Sequence, residues 1–406
     1  HDISDTLQIR NTAKYANVKQ SYILTQPDDS QGNVANGKVW RRINSRHSTA
    51  ESLADQLDLS GTFNTGGIKH SFSAGLDFSW EQSKRGSYAV NTSPRCINSG
   101  AGAGLDSEVG AGSNYNCTSL FNPNPKDPWV NMAADNATPT PITRTAANII
   151  NEATTYAIYA ADTISITDAL LLNLGARYDW YSMRSRTLGT SDLRLKDEFF
   201  NYQAGLVYKP AHNGSIYVSY AKSTTPVGSM VGEGAEGNAI ALTTLDDLKP
   251  EGTKSYEVGT KWDLLNSHLA VNVALFRTET NNARTTGATG LPEYVGNRRI
   301  DGVEVGITGK PLPNWHIFGG YTYMNSEIRY AGPPVTYANG VFENASNGRV
   351  FPNTPKHSFT LWSTVDFADR FQIGGGAIYN SRQYANFGYA TDVAGSNTAV
   401  QNNLGL

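Results

Sequence analysis

Strict alternation of apolar and polar positions runs through residues 255–263, where Tyr256, Val258, Thr260 and Trp262 share one phase. Ser255, Glu257, Gly259, Lys261 and Asp263 share the other. Period two is what a strand produces, because successive side chains point to opposite faces. Leu265-Asn266-Ser267 reads as a three-residue turn. The chain then returns with Leu269, Val271, Val273 and Leu275 on one face and Ala270, Asn272 and Ala274 on the other. This is a hairpin with one greasy face and one polar or small face. A soluble sandwich strand would show the same pattern, so the discriminator is whether the unit repeats and whether anything else supplies a core.

The unit repeats. Residues 1–4 read as the end of a tight turn; Leu7, Ile9 and 15–23 then fit an outgoing strand and 39–63 the return. Residues 68–80 climb again less cleanly, with Phe72, Ala74, Leu76, Phe78 and Trp80 read on different phases near the strand's two ends. Hairpins follow at 154–163 with 170–184 and at 200–208 with 216–220, then strands at 300–309, 315–323, 357–367 and 371–384. The count is roughly thirteen strands, joined alternately by short turns and longer polar loops. The loops read at 26–37, 88–153, 221–252, 283–296 and 330–354. No segment shows clear helical periodicity.

The polar phase carries charges. Leu170, Leu172, Leu174, Ala176, Tyr178 and Trp180 alternate with Asn173, Gly175, Arg177 and Asp179. Arg and Asp aimed into a dry core are costly, whereas a wet lumen accepts them. The irregular stretch 88–153 would count against a compact soluble domain and counts in favour of a barrel with long outer loops. Mean hydropathy is −0.41 and charged residues are 17% of the chain, a combination compatible with a barrel whose polar lumen dilutes the signal. The 21 tyrosines and 39 glycines suit an interfacial aromatic girdle and a crowded wall. A net charge of −3 argues against a nucleic-acid footprint. The expected fold is all-β, a transmembrane antiparallel β-barrel.

Three ordered motifs carry a family resemblance. Leu248-Lys249-Pro250-Glu251 with Ser255-Tyr256-Glu257-Val258-Gly259-Thr260-Lys261, then Gly296-Asn297-Arg298-Arg299-Ile300-Asp301-Gly302-Val303-Glu304-Val305, then Phe351-Pro352-Asn353-Thr354-Pro355-Lys356-His357 resemble the barrel of TonB-dependent siderophore receptors of the catecholate type. The resemblance implies a barrel of about 22 strands plugged by an N-terminal domain. It implies a Gram-negative outer-membrane receptor that binds a ferric siderophore and imports it actively, not an enzyme. It needs no cofactor, the ferric siderophore being cargo. Its partners would be the TonB-ExbB-ExbD complex, acting through the plug, and outer-membrane lipid. A passive porin-like channel, an outer-membrane enzyme and a soluble all-β binding protein are the rivals. The plug, the energy-coupling box, the first strands and the aromatic terminal strand of the family pattern are missing from residues 1–406. The chain starts at His1 without Met and stops in loop-like sequence, so it reads as a barrel fragment expected to form an open, curved sheet.

Ferric catecholates are anionic and aromatic, so arginine supplies charge-assisted contacts and aromatic rings supply stacking faces. Tyr88, Arg95, Trp129, Tyr294, Arg298, Arg349, Tyr384, Phe387 and Tyr389 lie in or beside the expected outer loops and are the candidates. A rim or girdle role is the competing reading for each. Arg298, Arg299 and Glu304 match the family strand, with a lumen ion-pair network as the alternative. Cys96 and Cys117 share the longest loop, most simply as a disulfide in an exported protein, with a metal or reactive-thiol pair as the alternative. The seven histidines are scattered, and the Gly100–Gly104 run follows no strand and opens no helix, so neither supports a metal or phosphate site.

Overall fold

A computed structural model describes residues 2–28, 34, 37–89, 117–123, 141–227, 249–286, 292–330, 335–337, 340–342, 347–368, 370–391 and 399–404. One antiparallel sheet of 15 strands dominates. Its order is Asp2–Ser4, Leu7–Asp28, Lys38–Thr65, Ile68–Gly86, Ile149–Thr167, Leu170–Thr187, Ser191–Ala211, Gly214–Thr225, Glu251–Leu264, Leu269–Thr286, Pro292–Leu312, Trp315–Tyr330, His357–Phe367 and Phe371–Asn380. Each strand pairs with the one before it in that order, and the short strand Cys117–Ser119 adds to Lys38–Trp40. Among the described residues no ladder joins the first strand to the last.

The expected hairpins are present. The Leu265-Asn266-Ser267 turn has φ of 52°, 57° and 65°, a left-handed run that Asn accepts readily. Its ladder pairs Tyr256 with Arg277 and Val258 with Leu275 in unbroken register. One strand was read wrongly: Phe72, Ala74, Leu76, Phe78 and Trp80 occupy one face, because the ladder with Lys38–Thr65 carries no bulge and even positions stay in phase. The expected turn at residues 1–4 is a short strand, Asp2–Ser4, pairing back onto Leu7 and Gln8.

Other differences lie at the outer ends. Residues 185–199 continue the ladder to Thr187 and from Ser191, closed by a tight turn with Gly189 at φ 79°. Much of the expected loop 283–296 is also ladder, from Ala283↔Gly296 to Thr286↔Pro292. Residues 383–391 leave the main sheet and pair with Ala399–Leu404, so the expected loop-like end is a second hairpin.

Burial shows why this sheet is a membrane wall. The apolar phase is the exposed one: Val258 is 46% exposed and Leu275 52%, while Gly259 and Ala274 beside them are buried. A soluble protein would reverse this, since apolar surface is removed from water on folding. The two faces also exchange character along single strands. In Ser191–Ala211 the outward positions are Phe200, Tyr202, Ala204 and Leu206 low on the strand, but Asp192, Arg194, Lys196 and Glu198 above it. Inward, Asn201 and Gln203 give way to Leu193, Leu195 and Phe199. The switch between Glu198 and Phe200 marks where hydrocarbon ends. Aromatic rings line that boundary, with ring centroids 4.9 Å apart for Tyr178 and Trp180, 5.8 Å for Tyr202 and Tyr220, and 5.0 Å for Tyr220 and Tyr256.

The lumen phase carries a polar network. Arg177 pairs with Asp77 at 2.9 Å and with Asp179 at 2.7 Å, and Asn201 donates to Asp179 at 3.2 Å. Tyr159 donates to Asp58 and accepts from Gln56. Five adjacent strands are tied across the wall by these contacts, none of which the apolar outer face could host.

Candidate ligand-binding mouth

Apolar clusters sit on the lumen side of the outer ends. Tyr181, Met183 and Phe199 pack with Ala153 and Leu195, and the Tyr181 hydroxyl donates to the carbonyl of Val227 at 3.1 Å. This draws the segment after Gly214–Thr225 inward over the lumen. Ala283, Ile328 and Phe351 form the other cluster, with Ile300 against it.

The second cluster is built by residues 347–357. They extend the pairing beside Trp315–Tyr330: Gly348 N–H donates to Ile328 O at 2.8 Å, Ile328 N–H to Arg349 O at 2.9 Å, and Met324 N–H to Lys356 O at 2.9 Å. The ladder breaks between, because Pro352 and Pro355 have no N–H to give and Asn353 turns left-handed at φ 52°. Freed there, Asn353 N–H donates to Tyr384 O at 2.9 Å. Phe351 N–H finds Ser326 Oγ at 3.1 Å, and the ring inserts beneath the Arg298 guanidinium, 5.3 Å from its centre. The proline-asparagine motif therefore works as a clasp joining three outer elements.

Of the candidates, Arg298, Arg349 and Tyr384 meet at this clasp, Arg298 by its side chain and the other two by their backbone carbonyls. Tyr88 lies elsewhere, on the outward phase of Lys38–Thr65. Its hydroxyl meets Ser21 Oγ at 2.6 Å and its ring stands edge-on to His47 at 5.8 Å. His47 is buried and holds residues 143–145, where Thr143–Arg144 pairs with Tyr88–Ala89: Nε2 meets the Thr145 carbonyl at 2.8 Å and Nδ1 meets Arg144 Nη2 at 3.0 Å. A carbonyl only accepts and a guanidinium only donates, so Nε2 donates to Thr145 and Nδ1 accepts from Arg144. Arg95, Trp129 and Cys96 lie outside the described residues. Tyr294, Phe387 and Tyr389 lie in strands, Tyr294 opposite Arg284 and Tyr389 opposite Gln401, and their side chains lie outside the described residues, as does that of Cys117. Arg299 points outward to Asp301 at 2.9 Å and Glu327 at 3.8 Å, whereas Glu304 is on the lumen phase.

Sequence reading missed the inward arginine pair. Arg46 and Arg85 share the lumen phase with Asp58 and Asp77 and sit diagonally across one ladder, since Arg85 faces Ser48 and Tyr22 faces Arg46. Arg46 is 7% exposed. Burial first, then repulsion from Arg46, pulls the Arg85 guanidinium below its ordinary pKa. Neither forms an ion pair among the described residues. Two diagonal cations at the lumen mouth make a local positive field that an anion entering from outside relieves. Only the 2-residue alternation was visible in sequence; the register between the two strands was not.

The family model for "TonB dependent receptor-like, beta-barrel" matches residues 1–405. The chain belongs to the TonB-dependent receptor family. It is 36% identical over 389 residues to a probable TonB-dependent siderophore receptor, PiuA, of Acinetobacter baumannii, covering 95% of this chain and 50% of that protein. It is 29% identical over 414 residues to the catecholate siderophore receptor Fiu of Escherichia coli K12, covering 93% and 48%. The crystal structure of PiuA superposes with a TM-score of 0.77 at 34% identity over 95% of this chain and 54% of that one. The closed form of Fiu does so at 0.70 and 28%, over 95% and 52%. The chain thus spans about half the length of these relatives. The family is one of Gram-negative outer-membrane transporters rather than enzymes, which fits the outward apolar band and the polar lumen.

Proposed function

We propose that this barrel wall belongs to a receptor that binds a ferric siderophore of catecholate type at its outer mouth and imports it with energy from TonB, ExbB and ExbD. The similarity over 93% or more of the chain to proteins named as siderophore receptors carries the reading. The mouth supports it chemically. A ferric tris-catecholate is a compact anion with aromatic faces, and Arg46 with Arg85 offers it two guanidiniums beside the Tyr22 ring. Cys96 and Cys117 would stiffen the longest outer loop as a disulfide. Arg95, Trp129, Tyr294, Phe387 and Tyr389 remain candidates for the loop side of that site. The contact with TonB is assigned to no residue of this chain.

The test uses the full-length receptor and a ferric tris-catecholate. Hydrogen bonds to a charged group contribute about 1.5–3 kcal/mol. Arg46→Gln and Arg85→Gln should therefore each weaken binding by about tenfold or more and flatten its salt dependence. Equal affinity in both variants would remove the arginine pair from the site. Uptake that persists after TonB is deleted would defeat active import.

A further inference from the structure

Lys222 and Lys254 face each other in register on neighbouring antiparallel strands. Both lie on the outward phase, each two residues above a girdle ring, Tyr220 and Tyr256. Like charges directly opposite one another repel, and neighbouring strands normally avoid the arrangement. Lys222 stands 6.0 Å from the centre of the Tyr202 ring, and Glu279 faces Lys254 across the next ladder. No ion pair at either ammonium occurs among the described residues.

Directly below, the same outward face is hollowed. A groove of about 820 Å³ runs between Leu172, Leu206, Val218, Val258 and Leu275, and Arg277 stands at its upper end beside Asp301. The charged outward residues that line it, Arg277, Glu279 and Asp301, stand level with or above Tyr256. Three features thus coincide at the membrane boundary: a facing cation pair, a row of three tyrosine rings, and an apolar furrow leading down from them.

We propose that this is a binding site for an anionic lipid of the outer leaflet, its phosphate bridging Lys222 and Lys254 and an acyl chain lying in the furrow. Glu279 offsets Lys254 from one side only, and the phosphate supplies the counter-charge between the two lysines. The tyrosine hydroxyls, with Tyr202 and Tyr220 3.5 Å apart, meet the headgroup at the height where ring bodies remain in hydrocarbon. Arg277 is already held by Asp301 at 2.6 Å, so the two lysines are the cations available to the lipid. The inference rests on the outer-membrane placement and is independent of which ligand enters the lumen.

The experiment reconstitutes the full-length receptor in vesicles and measures lipid association by spin-labelled phosphatidic acid against spin-labelled phosphatidylcholine with the same acyl chains. A basic residue near an anionic lipid surface contributes about fivefold. Wild type should prefer phosphatidic acid several-fold. Lys222→Gln with Lys254→Gln should bring the ratio to about one, and Lys222→Arg with Lys254→Arg should restore it. Ferric-siderophore binding, measured on the same samples, should be unchanged and certifies a folded barrel. An unaltered lipid ratio in the Gln variant overturns the proposal. So does displacement of the labelled lipid by millimolar inorganic phosphate, which would mean a free-anion site without use for the furrow.

Discussion

Removing the ring that anchors the clasp tests the architecture of the mouth. Phe351 is 7% exposed, packs on Ala283 and Ile328 and supports Arg298. Phe→Ala in a packed interior costs about 3–5 kcal/mol. The cluster is small and partly relaxes, so the lower end applies. The main ladders do not pass through this ring, so the cost falls on local opening of residues 347–357 rather than on the sheet. A loss of about 3 kcal/mol is a fall of about a hundredfold in amide protection. It should be read at Ile328 and Phe351, whose N–H groups bond to Arg349 O and Ser326 Oγ. Arg298→Ala removes only a half-exposed cation–ring contact, about 1 kcal/mol, and should lower the same protection about fivefold. Native-state hydrogen exchange on the full-length receptor in detergent makes the measurement. Protection in Phe351→Ala within threefold of wild type, or equal losses in the two variants, would refute the clasp.

Gly296 has φ 72°, and a Cβ there would strike the Tyr330 carbonyl oxygen, so Gly296→Ala should loosen the outer hairpin by about 1–3 kcal/mol and expose residues 284–296 to limited proteolysis. Arg184 holds Asp192 at 2.8 and 2.5 Å, chiefly by that hydrogen bonding, below the ordinary carboxylate value of 3.8. A depressed folded pKa contributes stability above the unfolded value that is lost as pH falls through the folded one. Exchange protection of the 187–191 turn should therefore hold from pH 8 to about 5 and decline below about 4, and Asp192→Asn should abolish that decline. Tyr159→Phe removes the donor to Asp58 inside a wet lumen, so thermal unfolding of the receptor should shift by only a few degrees, about 1 kcal/mol.

The alternation at 255–263 and 170–180 was enough to identify strands and their two faces; the membrane followed from its repetition and from Arg177 and Asp179 on the inward phase, because a wet lumen accepts charges that a dry core would not. The same reasoning stopped short at 185–199 and 283–296. Above the boundary both faces meet water, the outer phase is free to be charged, and Asp192, Arg194, Lys196 and Glu198 alternate with Leu193, Leu195 and Phe199 in the opposite sense. Pairing there is decided by the neighbouring strand, which no single segment encodes. The sites follow the same division. Arg298 could be chosen from sequence as an arginine beside an outer loop, and residues 351–357 by their family resemblance, but their meeting at one clasp could not. Arg46 with Arg85, and Lys222 with Lys254, stand 39 and 32 positions apart in the chain. Only inter-strand register sets two guanidiniums on the lumen side and two ammoniums on the lipid side, because a slip of one residue would turn each pair to the opposite face.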